Sequence, residues 1–166
     1  MNKKIIIATI MSVGLSASVH AASYQLIDLG TLGGNMSRAY GINASGQVVG
    51  ALLKFYKIPY ENLLVAYDDV DLPFETIRMK PSGGSAGHRG MQNIIEQIGT
   101  QKFPRLRLGV GRAYGSKQAA DYVLKPFSKE ESEFLSVYID RAAEAVLAYI
   151  KEGIDRAMTE YNRREV

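Results

Sequence analysis

Hydrophobic positions change period several times along the chain, and each change predicts an element. Val48, Val49, Leu52, Leu53, Phe55 and Tyr56 recur at spacings of three and four, the mark of one helical face. Ser45 can cap such a helix and Pro59 ends it. Leu63 to Tyr67 is an unbroken apolar run of the kind found in a buried strand. It delivers Asp68, Asp69, Val70 and Asp71 at its carboxyl end, where ligands of open α/β sheets gather. Ile77 to Lys80 alternates like a half-exposed strand, and Met91 to Ile98 has helical spacing stopped by Gly99. Leu106 to Gly111 reads as another strand, and Glu130–Tyr149 and Glu152–Tyr161 as amphipathic helices. The order β, β, α, β, α predicts an α/β domain.

The amino end has a different character. Met1-Asn-Lys-Lys4 precedes fifteen uncharged residues, Ile5 to Val19, and then Val19-His-Ala-Ala-Ser23. A basic start, an apolar middle and small residues predict a secretion signal over residues 1–22, cut after Ala21 or Ala22. The run is too short for a membrane span. The competing reading is a first buried strand beginning at the β-branched Ile5-Ile-Ile7. Residues 23–46 are rich in Gly, Asn and Ser between short apolar runs, which predicts strands and turns. Their order, "DLGTLGG", "AYGIN", then "SGQVVG", resembles one unit of the HAF repeat of exported bacterial proteins, with no second copy in the chain. Residues 47–166 then form the predicted α/β domain.

With 166 residues, the chain has room for one such domain. Its apolar and charged fractions are those of a folded protein. The absence of cysteine excludes disulfides, thiolate metal sites and a cysteine nucleophile. The net charge of +3 conceals a sharp partition. Between Arg78 and Lys125 nine basic residues face only Glu96 and Asp121, whereas the flanking segments are acidic. An anion is the natural partner of that central third.

Gly83 to Gly90, "GGSAGHRG", could cradle an anion through backbone N–H groups at a helix start. It lacks both G-x-G-x-x-G and a terminal Gly-Lys-Ser/Thr, so it is no nucleotide fingerprint. His88 has no metal-ligand companions at suitable spacing.

Five ordered motifs, "N-x-SGQ-x-VGALLKFYKIP", "LLVAYDDVDLP", "IRMKPSGGSAGHRGMQNIIEQIGT", "FPRLRLGVGR" and "DYVLKPFSKEE", closely resemble those of bacterial peptidyl-tRNA hydrolases, from Asn43 to about Tyr161. The resemblance implies a three-layer α/β/α sandwich with a mixed sheet, incomplete at its N-terminus. It also implies cleavage of the ester between a peptide and the tRNA 3′ end, no cofactor or metal, peptidyl-tRNA or tRNA as partner, a monomer, and a cytoplasmic location. The alternative is an exported, non-enzymatic chimeric or repeat-type protein.

The same resemblance assigns roles. Asp68 would orient a catalytic base. Asn43, Gly87, His88 and Arg89 would contact the substrate, and Lys80, Arg105 and Arg107 the tRNA backbone. Arg89 stands where most members have Asn. The family's base is a histidine in a "TRHN" segment upstream of Asn43, and neither this segment nor the "GLGNPG" turn is found here. The histidine that does lie upstream, His20, sits in "SVHAAS", which matches a signal cleavage region. The resemblance therefore implies an impaired hydrolase, with the junction at "N-x-SGQ-V-VG".

Overall fold

The computed structural model describes residues 6–10, 25–28, 38–111 and 127–163, with side chains described from Gly46 onward, Val48 apart. In chain order the elements are β1 (Ile6–Ile10), β2 (Gln25–Asp28), α1 (Arg38–Tyr56), a 3-10 turn (Tyr60–Asn62), β3 (Leu63–Asp69), β4 (Ile77–Lys80), α2 (Arg89–Ile98), β5 (Arg105–Gly109), α3 (Lys129–Glu152) and α4 (Ile154–Tyr161). The strands form one sheet in the order β2-β1-β3-β5-β4. β1 and β2 are parallel, with Ile6 opposite Gln25 and Thr9 opposite Asp28.

Backbone bonds give the remaining directions. Val65 N–H donates to the Pro104 carbonyl and Val110 N–H to that of Asp69, each at 3.1 Å, so β3 and β5 advance together. Gly109 N–H donates to Thr76 O at 2.8 Å and Gly83 N–H to Gln101 O at 3.3 Å. Those partners run in opposite senses, so β4 is antiparallel to β5. The sheet is mixed and the fold is α/β, as the element order predicts.

Two compact units share the chain, Met1–Ala66 with Pro81–Arg105 and Tyr67–Lys80 with Leu106–Val166. In the first, α1 lies against α2 at Gly46. Its N–H donates to Asn93 Oδ1 at 3.2 Å, and a Cβ there would come within 2.9 Å of both the Asn93 carbonyl and Gln97 Cγ. Val49, Leu53, Ile58, Met91, Ile94 and Phe103 are buried with Leu63 to Ala66. In the second, Tyr67, Ile77, Met79, Leu106, Tyr138, Ala145, Tyr149 and Ala157 are buried. The Tyr138 hydroxyl lies 3.0 Å from both the Thr76 and Gly109 carbonyls, and Phe74 stacks edge-on against its ring at 5.4 Å. Asn162, just past α4, covers edge strand β4. Its amide oxygen accepts from Met79 N–H at 2.6 Å and its amide nitrogen donates to Met79 O at 3.0 Å, the two bonds a neighbouring strand residue would supply.

One sequence expectation changes, and a second meets its alternative. Helix α1 begins at Arg38 and not after Ser45, so residues expected as strands and turns are helical. Gly41, Asn43, Ser45 and Gly46 are poor helix formers, and the helix is supported instead by contact with α2, which Gly46 makes possible. The segment expected as the apolar middle of a secretion signal contributes strand β1, in line with its competing reading. His20 and the proposed cleavage region lie outside the described residues.

Candidate active site

Every residue of β3 is buried, carboxylates included: Asp68 is 3% exposed and Asp69 8%. An ionised carboxylate at such a position is tolerated only when hydrogen-bonded or paired. Asp69 shows how. Its Oδ1 accepts from Asp71 N–H at 2.9 Å, turning the chain away from the strand, and its Oδ2 accepts from Arg107 Nε at 2.7 Å. The turn returns along β5, where Gly111 N–H donates to Leu72 O at 2.9 Å. A Cβ at Gly109 would overlap the Pro73 carbonyl and lie 3.0 Å from Leu72 Cβ, so this close approach admits only glycine. The continuous apolar strand and its carboxyl-terminal aspartates are where the sequence places them. The Asp69–Arg107 ion pair is not foreseen; it depends on the register of β3 against β5.

The glycine-rich loop belongs to the first unit. Ala86 and Gly87 have φ of 47° and 81°, and nothing lies within 4 Å of a Cβ built on Gly87. Glycine there answers to backbone conformation and not to crowding. His88 N–H closes a turn on Ser85 O at 2.9 Å. His88 is then the N-cap of α2, its Nδ1 accepting from Met91 N–H at 3.2 Å. A neutral imidazole that accepts at Nδ1 carries its proton on Nε2 and is a donor there. Gly99, at φ 72°, closes the helix in the left-handed conformation.

The remaining expected residues fall into different settings. Arg89, first residue of α2, and Lys80, last residue of β4, are exposed. Arg107 is 17% exposed and committed to Asp69. Arg105, expected at the tRNA backbone, is only 1% exposed. Its Nη1 donates to Gly84 O, its Nη2 donates to Gln101 O at 3.4 Å, and its guanidinium carbon stands 4.6 Å from the Phe103 ring centroid. Asn43 lies within α1, and its side chain is outside the described residues. A cavity of about 460 Å³ in the first unit is lined by residues of α1, the 3-10 turn and α2, among them Lys54, Tyr60 and Gln97. None of the expected site residues lines it. Among the described residues no cluster of three or more His, Asp or Glu is placed to hold a metal ion, and no helix is long and apolar enough to cross a membrane.

Comparison with known proteins identifies the family and the fold. The peptidyl-tRNA hydrolase family profile matches residues 37–166. A peptidyl-tRNA hydrolase of Chloroflexus aggregans is 48% identical over 122 residues, 73% of this chain and 65% of its own length. One from Persephonella marina is 44% identical over 125 residues, 75% of this chain and 66% of its own. The chain thus spans about 65% of the length of these curated relatives. The crystal structure of the peptidyl-tRNA hydrolase from Acinetobacter baumannii superposes with a TM-score of 0.65 at 33% identity, covering 73% of this chain and 61% of that one. With a buried Asp68 near the end of β3, a glycine-rich loop leading into capped α2, and this match over most of its length, the chain belongs to the peptidyl-tRNA hydrolase family.

Proposed function

We propose that this chain binds tRNA and the peptidyl-tRNA ester but hydrolyses it slowly or not at all. The binding half is supported by family membership, by the exposed Lys80 and Arg89, and by the excess of basic residues between Arg78 and Lys125. Asn43, Gly87, His88 and Arg89 are assigned to the substrate, and Lys80 and Arg107 to phosphates. Asp68 is the group that would orient a base.

The observation that carries the impairment is the position of His88. It is the sole histidine among residues 37–166 matched by the family profile, and its Nδ1 holds the amino end of α2. Water attack on an ester needs a basic nitrogen within hydrogen-bond reach of that water. With Nδ1 engaged and Nε2 protonated, His88 would have to give up the cap to act as base. Loss of a general base lowers the rate by a factor of about 10² to 10⁴. The test is release of a labelled N-blocked aminoacyl group from tRNA by the chain, His20→Ala and His88→Ala. Turnover at the level of an intact relative would sink the impairment. Its loss in one variant would then identify the base.

We place the protein with tRNA in the cytosol. The residues before 37 fall outside the family match, and we read them as a lead joined to a hydrolase body, HAF-repeat-like from residue 23, in which β1 takes the place of a working secretion signal. Residues 1–30 fused to a reporter active only outside the cytoplasm are expected to stay silent, as befits a segment that forms β1. An active reporter would favour the exported reading.

A further inference from the structure

We infer that Arg105 is a positioning residue that holds the two stems of the Pro81–Pro104 excursion together, and so sets where Gly87, His88 and Arg89 stand. The excursion leaves β4, makes the glycine-rich loop and α2, and returns into β5. Its outgoing stem contributes the Gly84 carbonyl and its returning stem the Gln101 carbonyl, and Arg105 donates to both. Gly83 N–H joins the same Gln101 carbonyl at 3.3 Å. The guanidinium is stacked as well as bonded: its central carbon lies 4.6 Å from the Phe103 ring centroid, and Gly83 passes close to Nη1, from which a Cβ there would be 3.8 Å.

Only a planar fork can bridge two carbonyls of separate stems while keeping its face on a ring. A buried guanidinium is costly unless such partners compensate it, so its position is fixed once the stems are fixed. The converse also holds. Beyond the clamp, Ala86 adopts positive φ, a conformation that persists in a non-glycine residue only when the surroundings hold it, and Gly87 follows it with positive φ. Immediately after them come the His88 cap and Arg89. The loop conformation that presents those side chains is therefore anchored at Arg105, whose own charge, at 1% exposure, does not face an RNA backbone.

The inference rests on the hydrolase reading only where tRNA is used to measure it. Arg105→Lys keeps the charge and loses the fork; Arg105→Met keeps bulk and loses both. Amide exchange at Ser85, Gly87 and His88 is expected to accelerate at least about tenfold in Arg105→Lys, with Leu63 to Ala66 unchanged, the signature of local opening. With Arg89→Ala already in place, Arg105→Met should leave the slope of log affinity for tRNA against log salt unchanged, whereas loss of a real phosphate contact at Arg105 lowers it by a further roughly 0.7–0.9. Arg89→Ala should weaken tRNA binding about threefold or more in the wild type and much less in Arg105→Lys, because an unanchored loop no longer presents Arg89. Native loop exchange in Arg105→Lys would overturn the inference, as would a reduced salt slope with native exchange. If Arg105→Met fails to fold, Arg105→Lys decides. If the wild type binds no tRNA, the hydrolase reading fails, and the exchange measurement alone decides the role of Arg105.

Discussion

Among the described residues, Asp69 and Arg105 are buried charges held by specific partners, and they show what single residues contribute. Asp69 reads in the sequence as one of several carboxylates at the end of a buried strand; in the structure one of its oxygens makes a turn with Asp71 and the other binds Arg107. The turn is local and legible, whereas the ion pair joins residues on two strands and depends on a register that no spacing encodes. Arg105 was equally hidden, although its place between Phe103-Pro104 and Leu106 is a hint of burial. Tyr138 offers a measurable consequence. Its hydroxyl is enclosed against two carbonyls, and burial pushes it well above the usual tyrosine range. The unfolded chain loses this proton near pH 10 while the folded chain keeps it, so the folded state then binds more protons and stability falls as pH rises. The contribution is complete below about pH 10 and is lost progressively above it. Urea unfolding between pH 8 and 11 should fall more steeply for the wild type than for Tyr138→Phe, by up to about 1.4 kcal/mol per pH unit. Parallel curves would show that Tyr138 titrates normally.

At the scale of elements, periodicity and punctuation locate most of the fold. β3, β4, α2 with its Gly99 stop, and the two last helices fall within a few residues of their predicted positions. The start of α1 does not, because its first turns are composed of residues that favour turns, and what makes them helical is a neighbouring helix remote in sequence. That account predicts sensitivity at the contact. Gly46→Ala should raise intrinsic helix propensity yet destabilise the protein by about 1–3 kcal/mol, since the added methyl overlaps Asn93. A stabilised variant in thermal unfolding would mean that α1 and α2 can separate at little cost. The start of α3 is set locally instead. Ser128 Oγ accepts from Glu131 N–H at 3.1 Å, and Glu131 Oε2 accepts from Ser128 N–H at 2.8 Å. Ser128→Ala should cost about 1 kcal/mol, and Ser128→Asp much less, as read from denaturant midpoints at constant slope.

At the scale of the whole chain, charge is partitioned along the sequence, and the described part of the basic third comprises β4, the glycine-rich loop with α2, and β5. The sequence shows this excess but not how it is used, and the structure sorts its members by availability. Arg105 is enclosed, Arg78 donates at 2.7 Å to the Asn162 carbonyl, Arg107 is shared with Asp69, and Lys80, Arg89 and Lys102 are exposed. Phosphate contacts release counterions, so each one contributes to the salt dependence of binding. Exposed cations can make such contacts without first giving up a partner. Arg107 can do so only by competing with Asp69, which makes its removal a loss of stability as well as of affinity. We therefore expect tRNA binding to weaken steeply between about 50 and 200 mM salt. Lys80→Ala and Arg89→Ala should each lower the slope of log affinity against log salt by roughly 0.7–0.9 while leaving thermal stability unchanged. Arg107→Ala should lower affinity together with the unfolding midpoint, and Asp69→Asn should reduce stability but raise affinity by freeing Arg107. Titration of a labelled tRNA acceptor stem at several salt concentrations, beside thermal unfolding of each variant, separates these outcomes. A slope unaffected by Lys80→Ala and Arg89→Ala together would move the RNA-binding face away from the candidate site.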